Sequence, residues 1–322
     1  MSILIKGAGV AGLTAAFELV SQGFAVEVSE KSEAIGEGAS HYAGGMLAPW
    51  CEREAAEEAV LTLGLAAADW WEEALPGLVT RKGTLVLSTG RDQSDLKRFA
   101  SRTSGHQWLD AAGIAAIEPA LADRFRLGLF FAGEAHLDPR KALQGLYQAL
   151  VAKGVRFHFG SEPAGRYARI IDCTGAAAIE TVPSLRGVRG EMIYLETPEV
   201  ALSRPIRLLH PRHPIYIVPR EGHRFMVGAT MIEADDDGPI SARSLMEFLN
   251  AAYALHPAFG EARLIETGVG IRPAFADNLP RVVETEEGYA IAGMHRHGFL
   301  LAPAMARQLA EKLDLKDRRK SA

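Results

Sequence analysis

Residues 2–30 have the sequence SILIKGAGVAGLTAAFELVSQGFAVEVSE, which predicts a strand, a glycine turn, a helix and a second strand. The run Ser2–Lys6 is apolar, and Gly7, Gly9 and Gly12 follow it at the spacing of a dinucleotide-binding turn. Gly7 permits the tight turn, Gly9 lets the backbone approach a pyrophosphate, and Gly12 lets the helix pack on the strand. The free N–H groups at the helix N-terminus would then face the phosphates.

An acidic residue ends this unit. The segment Ala25–Ser29 alternates like a second parallel strand and leads into Glu30, eighteen positions after Gly12. A carboxylate there can accept hydrogen bonds from ribose hydroxyl groups. Because no arginine adjoins Glu30 to receive a 2′-phosphate, the sequence favours FAD or NAD over NADP. The alternative is a glycine turn that only packs and binds no ligand.

The composition is typical of an ordinary globular protein. A length of 322 residues allows two domains, and a formal net charge of −5 gives no reason to expect nucleic acid or an anionic membrane surface. No apolar run is long enough to span a bilayer, and the N-terminal segment lacks the features of a secretory signal. We therefore expect a cytoplasmic protein that acts on a small molecule, and the sequence leaves a homo-oligomer open.

The cysteines and histidines give no pattern of a metal site. Cys51 and Cys173 have no CxxC partner, and Cys173 lies in an apolar run typical of a buried strand. His295 and His297 are two positions apart, but no carboxylate or cysteine completes a ligand set with them. We expect neither a metal, nor a disulfide scaffold, nor cysteine catalysis.

The order of the patterns predicts an α/β protein with two domains. Residues 31–49 contain four glycines and few charges, and a connection of this length usually serves a ligand, although a flexible loop is the alternative. Strand patterns typical of a parallel sheet return at Val155–Phe159 and Ala168–Cys173, and alternating strands follow from Met192 onward. We predict a discontinuous Rossmann-like domain (residues 1–50, 132–185 and 265–322) and a substrate-binding domain on a mostly antiparallel sheet (residues 51–131 and 186–264).

Several motifs along the chain resemble one known family. They are GAGVAGLTAAFEL at the N-terminus, AGGMLAPWCE (Ala43–Glu52), YIVPR (Tyr216–Arg220), VGATM (Val227–Met231), GIRPAFADNLP (Gly270–Pro280) and HRHGFLLAP (His295–Pro303). Together they resemble the D-amino-acid-oxidase superfamily, and within it the glycine oxidases of ThiO type. The likeness extends from residue 1 to about residue 313.

The resemblance implies a flavoprotein with noncovalent FAD that oxidises glycine to its imine while O2 becomes hydrogen peroxide. In the family, the imine is consumed by a thiazole synthase during thiamine synthesis. Besides the three glycines of the turn, the implied cofactor contacts are Val10, Ala11, Glu30, Lys31, Ala39, Ser40, Gly44, Gly45, Met46, Met294, His295, Arg296, His297, Gly298, Phe299 and Leu300. The family commonly has Asn where this chain has His297, so the side chain at this position differs from that of the family.

Four side chains are candidates for the reaction itself. Arg272 is the first choice to hold a substrate carboxylate through two parallel hydrogen bonds, the alternative being a structural arginine on a strand. The resemblance implies that Tyr216 adds a phenol hydrogen bond to the same carboxylate. Met231 follows Gly228–Thr230 and would form a pocket wall that favours a small substrate, and for both residues the alternative is an ordinary core residue. Arg296 would face the pocket or the flavin and stabilise negative charge. Another substrate, sarcosine or a D-amino acid, or an acceptor other than O2, stays open.

Overall fold

The computed structural model describes residues 2–89, 93–209 and 215–320. The helices in these ranges are α1 (Val10–Ser21), α2 (Pro49–Glu52), α3 (Glu58–Gly64), α4 (Ala67–Ala74), α5 (Ser94–Arg102), α6 (Ala111–Ile117), α7 (Pro139–Ala152), α8 (Ala242–Leu255) and α9 (Gly298–Lys320). Short 3-10 helices span Pro119–Leu121, Gly175–Glu180 and Pro257–Glu261. None of the helices in the described ranges has the length and hydropathy that a bilayer crossing requires.

The strands in the same ranges form two large sheets and a short two-stranded one. They are β1 (Ile3–Lys6), β2 (Val26–Glu30), β3 (Met46–Leu47), β4 (Thr84–Ser88), β5 (Gln107–Asp110), β6 (Leu127–Phe131), β7 (Ala135–His136), β8 (Arg156–Phe159), β9 (Arg169–Asp172), β10 (Arg186–Glu196), β11 (Ile206–Leu209), β12 (Ile215–Arg220), β13 (Arg224–Gly228), β14 (Arg263–Ala274), β15 (Arg281–Glu284) and β16 (Gly288–Ala292).

The first large sheet has six strands in the order β15-β16-β9-β1-β2-β8. Strand β1 lies between β2 and β9 and is parallel to both, and only the edge strand β15 is antiparallel to its neighbour. The central strand β1 has the apolar run Ile3–Ile5, and Ile3 and Ile5 lie in the same buried core as residues of α1 and α9. The strand, turn, helix and strand predicted within residues 2–30 are confirmed as β1, α1 and β2.

The second sheet has eight strands in the order β14-β10-β13-β12-β11-β4-β6-β5. Every neighbouring pair is antiparallel except β11 and β4. Helix α8 covers one face, where Phe248 and Leu255 pack on Ile193 and Leu195 of β10. The predicted fold class is therefore confirmed: a Rossmann-like α/β unit assembled from separate pieces of the chain, and a mostly antiparallel second sheet.

Two of the predicted domain ranges include residues that belong to the sheet or the core of the other domain. Residue 265, predicted to begin the last piece of the Rossmann-like domain, lies inside β14 of the second sheet. Residues 58–74, predicted for the other domain, form α3 and α4, which pack in the core of the first sheet beside α9. The ranges also include residues 1, 90–92, 210–214 and 321–322, which lie outside the described residues. The division into domains remains a prediction.

A contact between α4 and α9 compensates for a proline. Pro303 lies inside α9 and has no N–H to donate to the carbonyl of Phe299, four residues earlier. The indole Nε1 of the fully buried Trp71 donates to that carbonyl instead, at 2.9 Å, and the Trp71 and Phe299 rings stack with centroids 5.7 Å apart. The first turns of α9 are thereby fixed to α4.

Candidate functional site

A cavity of about 730 Å³ lies between the carboxyl ends of the parallel strands of the first sheet and one face of the second sheet. This position is where open α/β sheets bind their ligands. The predicted residues that line it are Gly7, Gly9, Val10, Ala11, Glu30, Lys31, Ala39, Ser40, Gly44, Gly45, Met46, Tyr216, Arg272, Met294, His295, Arg296, His297, Gly298, Phe299 and Leu300. Gly12 and Met231 are not among its lining residues.

The N-terminus of α1 opens into one end of this cavity. Its N-cap, Gly9, has no side-chain acceptor on the helix, although the N–H of Val10 donates to Ser40 Oγ at 3.1 Å. Gly7 has a φ of +99°, and a Cβ atom on Gly12 would lie 1.8 Å from the Gly7 carbonyl oxygen. Gly12 thus serves helix packing rather than direct contact, while the exposed helix end suits a phosphate.

Glu30 stands at the end of β2 with its carboxylate already oriented. Oε2 accepts a hydrogen bond from the N–H of Ala8 at 2.7 Å, and Oε1 accepts one from the N–H of Ser32 at 3.0 Å. Each carboxylate oxygen has a further lone pair for a hydroxyl donor. A fixed acid and an uncapped helix end, both in one cavity, fit the ribose and the pyrophosphate of a dinucleotide.

Two arginines hold the glycine-rich connection that forms one wall of the cavity. Arg140 Nε donates to the carbonyl of His41 at 3.4 Å, and Arg220 Nη2 donates to the carbonyl of Gly44 at 2.7 Å. Arg140 also pairs with Glu266 of β14 through both guanidinium ends, at 3.0 and 2.5 Å. The connection is therefore fixed to the second sheet although it has little regular structure.

Arg272 lies on β14 and its guanidinium faces the cavity. Nη1 donates to the carbonyl of Thr230 at 2.9 Å, and within the described residues no carboxylate forms an ion pair with it. A Cβ atom on Gly190, in β10, would lie only 2.0 Å from Nη2. Glycine at that position is what makes room for the guanidinium. Burial lowers the pKa of Arg272 below its usual value, although an arginine still remains charged.

Tyr216 also depends on a glycine for its position. It lies on β12 and lines the cavity, where a Cβ atom on Gly44 would lie 2.6 Å from ring atom Cε2. The Tyr216 ring packs beside Tyr42 and Met46 on a buried cluster that includes Met192. The structure thus brings Tyr216 and Arg272 into one cavity, as the sequence predicts, and adds Tyr42 to its wall.

Arg296 lines the cavity too, but it has a carboxylate partner that the sequence did not predict. Its Nη2 lies 2.9 Å from Oε1 and 2.7 Å from Oε2 of the buried Glu52. Burial acts to raise the pKa of Glu52, but the Arg296 charge, with His297 and Arg207 nearby, outweighs it and lowers that pKa to about 2. The two charges balance each other, so Arg296 offers less to an anionic ligand than the unpaired Arg272 does.

The two histidines before α9 are neutral near pH 7. Burial lowers the pKa of His295 to about 3 and that of His297 to about 4, with the neighbouring arginines adding to the effect. His297 Nδ1 lies 3.4 Å from Glu52 Oε2. Across residues 2–89, 93–209 and 215–320, no three side chains of His, Cys, Asp or Glu converge to hold a metal ion.

Met231 lies at the outer rim rather than in the wall. Its side chain is 54% exposed, and its Sδ lies 3.4 Å from Nη1 of Arg296. The contact with Arg296 supports the prediction that Met231 forms a pocket wall, but Met231 is not among the residues that line the cavity. The backbone on both sides of Met231 stays beside β10, since the Thr230 N–H donates to the Glu191 carbonyl at 3.3 Å and Ile232 forms a bridge with Arg189.

A second buried carboxyl group lies near Glu52 without lining the cavity. Glu134 Oε1 accepts a hydrogen bond from the N–H of Cys51 at 2.7 Å, and Oε2 has no hydrogen-bond partner within the described residues. Burial raises the pKa of Glu134 to about 7. Glu52 and Glu134 both lie beside Cys51, one in sequence and one in space, yet their pKa values shift in opposite directions, because within the described residues Glu52 has the cation of Arg296 beside it and Glu134 has no ion-pair partner.

Sequence reasoning missed Glu52, Gly190 and Tyr42. Glu52 could be recognised only as an acid in a helical turn, since its partner Arg296 is 244 positions away. Gly190 belongs to an alternating run, and its role follows only from the pairing of β10 with β14, where it lies opposite Gly270. The one available signal was the alternation of glycines with larger residues over Gly268–Arg272, which leaves one face of the strand open.

Comparisons with known proteins show the family of the chain. The model of the DAO family, described as FAD-dependent oxidoreductases, matches residues 2–312. A Rhizobium etli protein named as the thiamine biosynthesis oxidoreductase ThiO is 63% identical over 315 residues, covering 97% of this chain and 96% of that protein. A bifunctional ThiO/ThiG protein of Synechocystis is 26% identical over 342 residues, which are 96% of this chain and 51% of that protein.

The fold has a close counterpart among solved structures. The crystal structure of glycine oxidase from Geobacillus kaustophilus superposes with a TM-score of 0.81 at 25% identity, covering 97% of this chain and 94% of that one. A fold match over nearly the whole chain agrees with the extent of the family match and with a cavity suited to a dinucleotide. The chain therefore belongs to the DAO family of FAD-dependent oxidoreductases.

Proposed function

We propose that this oxidoreductase oxidises a small α-amino acid, glycine, to its imine. The observation that carries the proposal is the guanidinium of Arg272, which faces the cavity with one backbone acceptor and no ion-pair partner among the described residues. A cation in a partly desolvated site is stabilised when a ligand supplies the opposite charge. The carboxylate of an amino acid is such a ligand.

Arg272 would bind that carboxylate through two parallel hydrogen bonds, and the phenol of Tyr216 would donate a third. Fixing the carboxylate at two points also fixes Cα, which is the atom that must lose hydrogen. Arg296 contributes a charge already balanced by Glu52, so we assign it a place in the cofactor wall rather than in substrate binding. Met231 would close the rim through its contact with Arg296.

The residues of the cavity suit FAD at its other end. The uncapped N-terminus of α1 would hold the pyrophosphate, Glu30 the ribose, and the segments 39–46 and 294–300 would surround the ring system. Bound FAD would supply the acceptor for the two electrons and the hydrogen that leave Cα. We propose a noncovalent cofactor, because Cys51 does not line the cavity and burial raises the pKa of the lining Cys173 far above its usual range.

The overall reaction balances as a two-electron oxidation. Glycine loses one hydrogen from Cα and one from nitrogen and becomes iminoglycine, which water hydrolyses to glyoxylate and ammonia. O2 takes up the two electrons and two protons and becomes hydrogen peroxide. The cavity offers no ionised, unpaired carboxylate beside Arg272 among the described residues, so we propose that glycine reacts with its amine already neutral.

The names of the relatives support a place in thiamine synthesis. The Rhizobium etli relative is named for thiamine biosynthesis, and the Synechocystis relative joins ThiO to a second part, ThiG. We propose that the imine formed here supplies a thiazole synthase. The proposal concerns the pathway alone, and it does not require the two enzymes to form a complex.

Anaerobic titration of the purified holoenzyme with glycine tests the proposal, with the visible flavin absorbance as the readout. We expect the absorbance to bleach and to return on admitting air, with one hydrogen peroxide formed for each glycine consumed. If glycine leaves the spectrum oxidised while sarcosine or a D-amino acid bleaches it, the substrate assignment is wrong. Bleaching that air does not reverse would mean that another acceptor replaces O2.

A further inference from the structure

One face of β14 carries a row of residues that shapes the cavity. Because side chains alternate along a strand, Glu266, Gly268, Gly270 and Arg272 share that face. The opposed residues on β10 share it as well, and Gly190 lies directly opposite Gly270. This cross-strand glycine pair leaves a shallow trough in the floor of the cavity, and two side chains from different parts of the chain fill it.

Arg272 fills one side of the trough and Tyr42 fills the other. The Arg272 Cζ occupies the space of a Cβ atom on Gly190, at 2.2 Å from that position. The Tyr42 ring lies along β14, with Cδ1 at 2.3 Å from the Cβ position of Gly268 and Cδ2 at 3.5 Å from that of Gly270. Cβ positions of directly opposed residues are about 5 Å apart, so the ring and the guanidinium occupy neighbouring parts of this face, and both line the cavity.

The ring of Tyr42 is held in this position from two directions. Its neighbour His41 accepts a hydrogen bond from Arg140, which is itself fixed to Glu266 on the same face of β14. The Arg140 guanidinium also lies over the Tyr194 ring, 5.0 Å from its centroid. Beneath the Tyr42 ring, Met192 Sδ lies 2.8 Å from the same Cβ position of Gly268. A half-buried ring with these supports cannot turn aside easily for a larger ligand.

We propose that Tyr42 determines substrate size, as the wall beside the carboxylate anchor that excludes amino acids with large side chains. The proposal rests on the proposed function, since it takes Arg272 as the anchor. When the carboxylate is held by Arg272, the groups attached to Cα must lie within the space that Tyr42 and Tyr216 leave. Glycine has only hydrogen there, so it fits without displacing either ring.

The test measures binding of carboxylates to the holoenzyme, independently of turnover. Acetate and benzoate are titrated against the wild type, Tyr42→Ala, Tyr42→Phe and Tyr253→Ala, and the flavin absorbance change gives each dissociation constant. Tyr253 is a matched control because it is a tyrosine on α8, 57% exposed and outside the cavity lining. We expect Tyr42→Ala to strengthen benzoate binding relative to acetate by about tenfold or more, since small differences in pocket volume have effects of this size.

The control variants, and the results that would contradict each proposal, can be distinguished from one another. Tyr42→Phe retains the ring and should keep the wild-type ratio of the two dissociation constants, as should Tyr253→Ala. The role of Tyr42 would be overturned if the ratio of the two dissociation constants were unchanged in Tyr42→Ala. It would also be overturned if that variant lost part of its flavin while the molecules that keep flavin had the wild-type ratio. If Tyr42→Ala changes the ratio as expected but glycine does not reduce the flavin, the proposed function fails and the role of Tyr42 in size selection stands. Acetate that does not bind to the wild type at all refutes the anchor on which both proposals depend.

Discussion

Replacing Gly190 by alanine adds one methyl group at the point where the structure has least room for it. The new Cβ atom would lie 2.0 Å from Nη2, 2.2 Å from Cζ and 2.7 Å from Nη1 of Arg272. All three atoms belong to the end of a flexible side chain that faces an open cavity. The guanidinium can therefore move away, so the substitution should displace the anchor rather than distort the sheet.

The size of the effect follows from the hydrogen bonds that the displaced guanidinium can no longer make. A charge-assisted hydrogen bond contributes about 1.5–3 kcal/mol, so loss of the bidentate geometry should cost about 3 kcal/mol of carboxylate binding, or about a hundredfold in Kd. The free energy of unfolding should change by less than about 1 kcal/mol, because Gly190 lies in a strand and its backbone has no left-handed φ.

The assay is acetate binding by flavin absorbance, together with urea unfolding of the same samples. Gly133→Ala is the matched control, since a Cβ atom there meets nothing within 4 Å and the backbone is also free of positive φ. We expect weak acetate binding with normal flavin content in Gly190→Ala, and wild-type behaviour in the control. Wild-type acetate affinity in Gly190→Ala would show that Arg272 does not bind the carboxylate from its observed position.

Three further substitutions test the charges of the site. Arg272→Ala should keep the yellow cofactor and lose glycine oxidation, and near-normal turnover would contradict the anchor assignment. The pKa of Glu52 is lowered to about 2, so its ionised form stabilises the fold above its unfolded pKa, and this stabilisation is lost as the pH falls. Glu52→Gln should therefore lower the free energy of unfolding, measured in urea, by about 3 kcal/mol at pH 7 and by less at pH 3. Glu134 has the opposite sign, because its pKa is raised to about 7 and its stabilisation is lost as the pH rises. Glu134→Gln should therefore gain up to about 3 kcal/mol over the wild type at pH 8 and nothing at pH 4, and equal stability of the two proteins at pH 8 would contradict the raised pKa.

The parts of the fold that the sequence predicts are those set by local chemistry. The turn at Gly7 needs a positive φ, and Glu30 comes at the end of its strand at a fixed distance from the glycines. The structure of residues 2–30 can therefore be predicted from the residues of this segment alone. Such signals depend on neighbours a few positions apart, and the structure confirms the elements derived from them.

The rest of the site depends on pairs that the folded chain brings together. The sequence around Gly190 does not indicate that an arginine 82 positions later fills the space that a Cβ atom would take. The pairing of Glu52 with Arg296 changes the meaning of both residues, since a predicted free cation becomes half of a neutral pair. The register of β10 on β14, and the route of the connection before β3, decide these contacts, and neither is encoded in a local pattern.

The contact between Trp71 and the Phe299 carbonyl also bears on how such a chain can be recombined. Phe299 lies in the segment that lines the cavity, yet the donor that satisfies its carbonyl comes from α4, more than two hundred positions earlier. A chimaera that takes residues 51–131 from a relative without an indole at this position would leave a buried acceptor unpaired beside Pro303. Modules for exchange should therefore be cut after α4, so that Trp71 and α9 are inherited together.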